Sequence, residues 1–294
     1  MTRFLGYVVA GLVNGTIYAL VALGVVVIYR ISRVVNLAHG AMGVFATYCF
    51  FYVFIGDWGL PVALASLLTL VVGAGLGVGV ERAFVGPVRK RGTLVTLVMT
   101  VGVLLLLTEA TVQFWGPNTP PIPSVFPDNS IKFGGTGVSV HQFAAAGFVL
   151  LLAGGLFYLL NRTRYGTAIE AIAEDPGAAR IVGLPVRRIV TATWAIGGAS
   201  AALAGILYIH LNTLDQISLT FVLIFSLVAA VLGGFNSLPV AVLGSLGVGV
   251  TFSLAQGYVH TPGFAELVVF LALLAVLLVQ QRNQQTSLET VAEF

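Results

Sequence analysis

The sequence predicts an all-α, polytopic transmembrane helical bundle with about eight crossings. Three observations predict it. Of 294 residues, 58% are hydrophobic and only 9% are charged, against about 25% charged in a soluble domain. Mean hydropathy is +1.00. Apolar runs recur along the chain that are long enough to cross about 30 Å of hydrocarbon as helices. So few charges cannot cover a globule of this size, so lipid is the solvent for most of the surface. Helix follows because every backbone N–H and C=O in lipid must be paired within the segment. A β-barrel would show alternating strands of about 10 residues, and no such alternation dominates.

The runs, in order, are 4–29, 34–55, 60–82, 93–115, 141–161, 190–211, 218–235, 239–258 and 264–281. The first follows Arg3. It is too long for the 7–15-residue core of a secretory signal and ends in no small-residue cleavage site, so it reads as a span. The second opens on Val35-Asn36-Leu37-Ala38-His39-Gly40, and the seventh is short and ends in Gly233-Gly234. Both are expected to be broken or re-entrant, which lowers nine runs to about eight crossings. Such backbone is tolerated at membrane depth only inside protein or beside a wet cavity.

Arginine and lysine set the orientation. Arg30 and Arg33, then Arg82, Arg89, Lys90 and Arg91, then Arg162, Arg164, Arg180, Arg187 and Arg188 occupy alternate connections. These are expected inside, with Arg282. Segments 116–140, 212–217 and 259–263 carry only Lys132 among them and are expected outside. The 116–140 stretch holds Pro117, Pro120, Pro121, Pro123, Pro127 and Gly134-Gly135. It reads either as a plain connector or as an external docking surface.

The net charge of +3 serves topology, and no basic face with interleaved aromatics points to nucleic acid. Cys49 has no second cysteine to pair with. No metal, cofactor or catalytic centre is expected, because carboxylates and histidines are scattered. Glycine numbers 35, and several fall at helix-packing spacing. Gly73/Gly77 and Gly75/Gly79 overlap, and Gly197, Ala201 and Gly205 form a row. Small residues let helix backbones approach closely in lipid.

Residues 162–189 differ from everything around them. Asp175 suits an N-cap, Pro176 a first helical position and Gly183 the residue past a helix end. They bracket a helix over 176–182, with another short helix expected over 167–173. Neither can cross a bilayer. The pair reads as an ordinary loop or as a rigid lever on which a soluble motor pushes. The chain itself holds no phosphate-binding G-x-x-x-x-G-K-[ST] pattern. His39, Glu109, His210 and Glu266 lie within spans, the two carboxylates toward outer ends, and Glu81 lies at a cytoplasmic end. That arrangement disfavours ion coupling.

Three blocks in this order resemble the membrane-spanning permease subunit of branched-chain amino acid ABC importers. They are Asn14-Gly15-Thr16-Ile17-Tyr18-Ala19-Leu20 with Asn36-Leu37-Ala38-His39-Gly40; Ala173-Glu174-Asp175-Pro176 through Arg180 to Gly183; and Val231-Leu232-Gly233-Gly234 with Ser237-Leu238-Pro239. Phe235-Asn236 departs from the small residues more usual there. The resemblance implies one transmembrane permease domain over 1–294 in the cell membrane, with a cytoplasmic coupling loop at about 162–189. It implies a second related permease, two cytoplasmic ATPase subunits and an extracytoplasmic solute-binding protein, with ATP hydrolysis in the partners. Substrates would be branched-chain or other hydrophobic amino acids, or urea and short amides as in close relatives. A self-contained channel or secondary carrier is the competing reading. Glu170, Glu174, Asp175, Pro176, Arg180, Gly183 and Arg188 would form the coupling loop. Asn36 and His39 are either a cap with a packed histidine or part of an unwound segment beside the pathway, and Asn14 faces the same choice.

Overall fold

The structure, a computed structural model, describes residues 2–116, 130–133, 136–211, 216–235, 237–259, 261–275 and 278. Six helices among these are long and apolar enough to cross a membrane, and a seventh span appears if one bent pair counts as one. Shorter apolar helices, Phe221–Leu232 and Phe264–Ala275, add to this, in keeping with about eight crossings.

Helix α1 (Thr2–Ser32) is the axis of the bundle. Its most apolar window is 89% buried. It is apolar all round, and such a helix finds its lowest free energy enclosed by others. Ala19, Leu23, Val25, Val26 and Ile28 are fully buried. The chain then leaves helical geometry at Arg33, whose φ is 55°. It resumes as α2 (His39–Tyr48), which runs on as a π-helical stretch, Cys49–Asp57. The expected break near residue 34 is therefore present, and the helix starts at His39.

Helix α3 (Val62–Gly79) continues through π-helical Val80–Val85, the short α4 (Gly86–Val88) and a 3-10 turn, Arg89–Arg91. The whole runs to Arg91, past the expected end at residue 82. Helix α5 (Thr93–Trp115) follows. A two-stranded antiparallel hairpin, β1 (Ser130–Phe133) with β2 (Thr136–Ser139), lies beside α1. No strand is expected there from the sequence. The rest of the 116–140 segment, 117–129 and 134–135, lies outside the described residues.

Helix α6 (Val140–Arg162) bends by 65° into α7 (Arg164–Glu174), which is followed by α8 (Pro176–Ile181). Helices α9 (Val186–Leu211), α10 (Gln216–Leu232) and α11 (Leu238–Tyr258) complete the packing around α1, and α12 (Phe264–Ala275) closes the described chain. The end of the expected 264–281 span, Arg282, Asn236, residues 212–215 and the His210 side chain lie outside the described residues.

Small residues decide which helices touch. At the α3–α9 crossing a Cβ on Gly73 would meet Gly198 O and Ala202 Cβ at 2.5 Å, and Gly77 faces the Trp194 carbonyl. The backbones are therefore in direct contact, as expected where dispersion drives association. Gly75 and Gly79 differ: nothing lies within 4 Å of a Cβ at either. Only one of the two overlapping glycine pairs is used inside this chain. The row Gly197, Ala201, Gly205 is used too, against Ile28 of α1 and Gly43 and Thr47 of α2.

Candidate functional site

The short helices at 164–181 are held by local chemistry. Asp175 leaves helical geometry at φ −145°, ψ 102°. Its Oδ1 accepts from Gly177 N at 2.7 Å and Ala178 N at 3.0 Å, satisfying two donors that the first turn leaves free. Pro176 occupies the first turn, where its missing N–H costs nothing. At the other end Gly183 has φ 85°. Gly183 N donates to Arg180 O and Leu184 N to Ala179 O, both at 3.0 Å, the paired closure of a Schellman turn. The helix ends at Ile181 with Val182 as its cap, one residue short of the expected 182. Its neighbour α7 starts at Arg164, earlier than the expected 167.

These caps fix an unusual surface. Ala179 is buried, while Ile181 is 88% exposed and Val182 75% exposed. Two bare aliphatic side chains stand on a rigid turn among charges. Glu170, Glu174, Asp175, Arg180, Arg187 and Arg188 are exposed around them. The sequence reading passed over Ile181 and Val182; an apolar pair between a helix and its glycine stop is the signal that marks them.

Helix α7 anchors this surface to the bundle. Ile169 and Ile172 are buried in the same core as Val27, Ile28 and Ile31 of α1 and Val190 and Trp194 of α9. Arg30 approaches Glu170 at 3.9 Å. With Glu170 66% exposed, that pair contributes at most about 1 kcal/mol, so the apolar face carries the attachment. The Tyr165 hydroxyl lies 3.0 Å from Thr193 Oγ1. Close by, Arg89 donates to Ile31 O at 3.2 Å, and Thr191 donates to Glu81 Oε2 at 3.0 Å. Residues that the charge pattern placed inside thus gather at one end of the bundle. Arg30, Arg89, Glu81, Tyr165 and Thr191 form a polar frame there that sequence spacing did not reveal, because they come from four helices, with Glu81 and Arg89 sharing one.

The second candidate group is the break before α2. Asn36 is fully buried. Its Oδ1 accepts from Ala38 N at 3.1 Å and its Nδ2 meets Met42 Sδ at 3.5 Å. Its carbonyl accepts from His39 N at 3.2 Å, and Leu37 N donates to Thr100 Oγ1 of α5 at 3.4 Å. Asn36 therefore closes the turn that starts α2. His39 is also fully buried, and neither ring nitrogen has a hydrogen-bond partner among the described residues. It packs on Gly24 of α1, where a Cβ would meet its Nε2 at 2.6 Å and Ser200 Oγ closer still. Both residues sit inside the helix bundle, Asn36 in the unwound chain before α2 and His39 at its first position. Asn14 is half-buried on α1, about 15 Å along the axis from Gly24, so it does not join them. Among the described residues no group of three or more metal-ligating side chains occurs.

Known proteins agree with this architecture. The family described as branched-chain amino acid transport system / permease component matches residues 7–278. BraD, a high-affinity branched-chain amino acid transport system permease protein of Pseudomonas aeruginosa, is 29% identical over 288 residues, covering 94% of each chain. LivH of Escherichia coli, with the same description, is 29% identical over 290 residues, covering 94% of this chain and 93% of LivH. A solved structure described as an inward-facing metal-chelate type ABC transporter superposes with a TM-score of 0.52 at 17% identity, over 92% of this chain and 85% of that one. It shares the fold. The match spans nearly the whole described bundle; with its membrane-capable helices, the chain is a multi-pass transport protein of the cell membrane. The chain belongs to the family of permease components of branched-chain amino acid transport systems.

Proposed function

We propose that this chain is the permease subunit of an ATP-driven importer that moves branched-chain or other hydrophobic amino acids by alternating access. One observation carries the proposal: a short helix, capped at both ends, holds Ile181 and Val182 bare at the arginine-rich end of the bundle. A soluble chain segment exposes such a pair at a cost unless a partner covers it. The complex would contain a second related permease, two cytoplasmic ATPase subunits and an extracytoplasmic solute-binding protein, all within or against the bilayer.

In this reading Asp175, Pro176 and Gly183 hold the shape of the lever. Ile181 and Val182 fill an apolar groove on the ATPase. Glu174, Arg180 and Arg188 ring that contact and set its register. ATP binding draws the two ATPase subunits together and displaces the lever. Displacement passes through the apolar face of α7 and Glu170 to α1, and through Tyr165 to α9. Because α1 touches most of the bundle, moving its cytoplasmic end reorients the rest. The unwound stretch through Asn36, up to His39 at the start of α2, gives the α1–α2 connection room to change, and half-buried Asn14 would contribute a polar group to the path. Hydrolysis in the partners resets the cycle.

The test is uptake of radiolabelled leucine into vesicles carrying the complete system. Uptake should require internal ATP and the ATPase subunits. Uptake driven by an ion gradient with those subunits absent would overturn the proposal, as would transport of urea or a short amide with none of leucine.

A further inference from the structure

Helix α5 has two faces of opposite character. Its buried face carries Thr96, Thr100, Val103, Leu107 and Thr111. The threonine hydroxyls there donate to the carbonyls of Gly92, Leu97 and Leu107 on their own helix. Its outer face carries Val95, Val98, Gly102, Leu106, Glu109 and Gln113, all exposed. The spacing of three and four residues puts these six on one stripe. Nothing lies within 4 Å of a Cβ at Gly102.

Other outward faces are what lipid requires. Leu64, Leu67 and Val71 are exposed on α3, and Phe148, Leu150 and Leu151 on α6. Among the described residues, only α5 mixes a carboxylate and a carboxamide into its exposed stripe. Glu109 stands six residues before the helix end at Trp115, about 9 Å into the span. Among the described residues no hydrogen bond or ion pair reaches its carboxylate. Charged side chains inside membrane spans face the bundle interior or water, because hydrocarbon does not solvate them. Glu109 does not face the interior of this chain. No described part of this chain encloses it, which points to a wet space shared with another subunit.

We propose that this stripe of α5 lines the aqueous passage between the chain and its partner permease, and that the Glu109 carboxylate receives the ammonium group of the incoming amino acid. The proposal rests on the amino-acid import argued above and adds a substrate-contacting residue to it. The chemistry matches a zwitterion. A carboxylate is an acceptor only, and an ammonium group is a donor only. Gln113, one turn further out, offers amide N–H donors to the substrate carboxylate about 5–6 Å away. The valines, leucine and open glycine below present an apolar track to the side chain. Urea and short amides carry no cation, so Glu109 would favour amino acids over them.

Two experiments on the complete transporter in cell membranes decide it. In a Cys49→Ala background, Gln113→Cys is exposed to a membrane-impermeant quaternary-ammonium methanethiosulfonate from outside. Labelling is expected, and excess leucine should slow it, while Leu67→Cys on α3 stays unlabelled. Labelling of Gln113→Cys no faster than Leu67→Cys would place the stripe in lipid or a dry interface and overturn the proposal. Separately, Glu109→Gln should raise the KM for leucine uptake about tenfold, the loss of one charge-assisted hydrogen bond, with Glu109→Asp recovering part of it. An unchanged KM would overturn the ammonium contact. Failure of Glu109→Gln to assemble with its partners would do the same, because the carboxylate would then be pairing with a partner cation. If the wild-type system takes up no amino acid, the proposed function fails instead, and the labelling still shows whether the stripe is wet.

Discussion

Replacing Ile181 by alanine separates the lever from the fold. Ile181 is 88% exposed in the isolated chain. It sits at the last position of a helix whose caps are made by other residues. Its removal should therefore change folding stability by no more than about 0.5 kcal/mol. In the complex the same side chain would be buried. Alanine removes three carbons, each worth about 0.8 kcal/mol on burial, so docking should lose about 2 kcal/mol, or about 30-fold in affinity. The assay is binding of the ATPase subunits to permease held in nanodiscs, alongside thermal unfolding of the permease alone. Ile172→Ala is the internal control. Ile172 is fully buried on α7, and a cavity there should cost about 2–5 kcal/mol of stability, lowering the melting temperature and the amount in the membrane. If Ile181→Ala left docking within about twofold of wild type, the exposed pair would not be the contact. A melting temperature falling as far as for Ile172→Ala would refute the claim that Ile181 is free of the fold.

Two further outcomes follow from the backbone. Gly183→Val places a β-branched residue at φ 85° and costs on the order of 1–2 kcal/mol in that region; co-purification should show weaker ATPase docking at a normal membrane level, and unchanged docking would argue against a rigid lever. Gly73→Leu should depress the thermal stability of the chain, because its side chain would enter the Gly198 and Ala202 backbone contact, whereas Gly75→Leu meets open space and should leave the isolated chain unaffected; equal losses would show that α3 and α9 do not cross as described.

The sequence alone determined the solvent, the approximate count of spans and the two ends of α8. Each of these is a local property. Hydropathy over some 20 residues decides whether a segment is stable in lipid. Asp175, Pro176 and Gly183 each act on a backbone group within five residues, so a one-dimensional reading finds them. The break before α2 was legible for the same reason, since Asn36 bonds to Ala38, two residues on.

The tertiary structure decided which faces meet. Gly73/Gly77 and Gly75/Gly79 are equivalent as sequence, yet only the first pair has a helix lying against it. The burial of His39 depends on Gly24 and Ser200, which are distant along the chain. The frame of Arg30, Glu81, Arg89, Tyr165 and Thr191 gathers residues from four helices, and no spacing rule links those helices. The pairing of Ser130–Phe133 with Thr136–Ser139 had no periodic signal in so short a stretch. Ile181 and Glu109 make the point most clearly. An isoleucine at the end of a short helix and a glutamate in an apolar helix carry no surroundings in the sequence. Their meaning comes from exposure, and exposure depends on where every other helix lies.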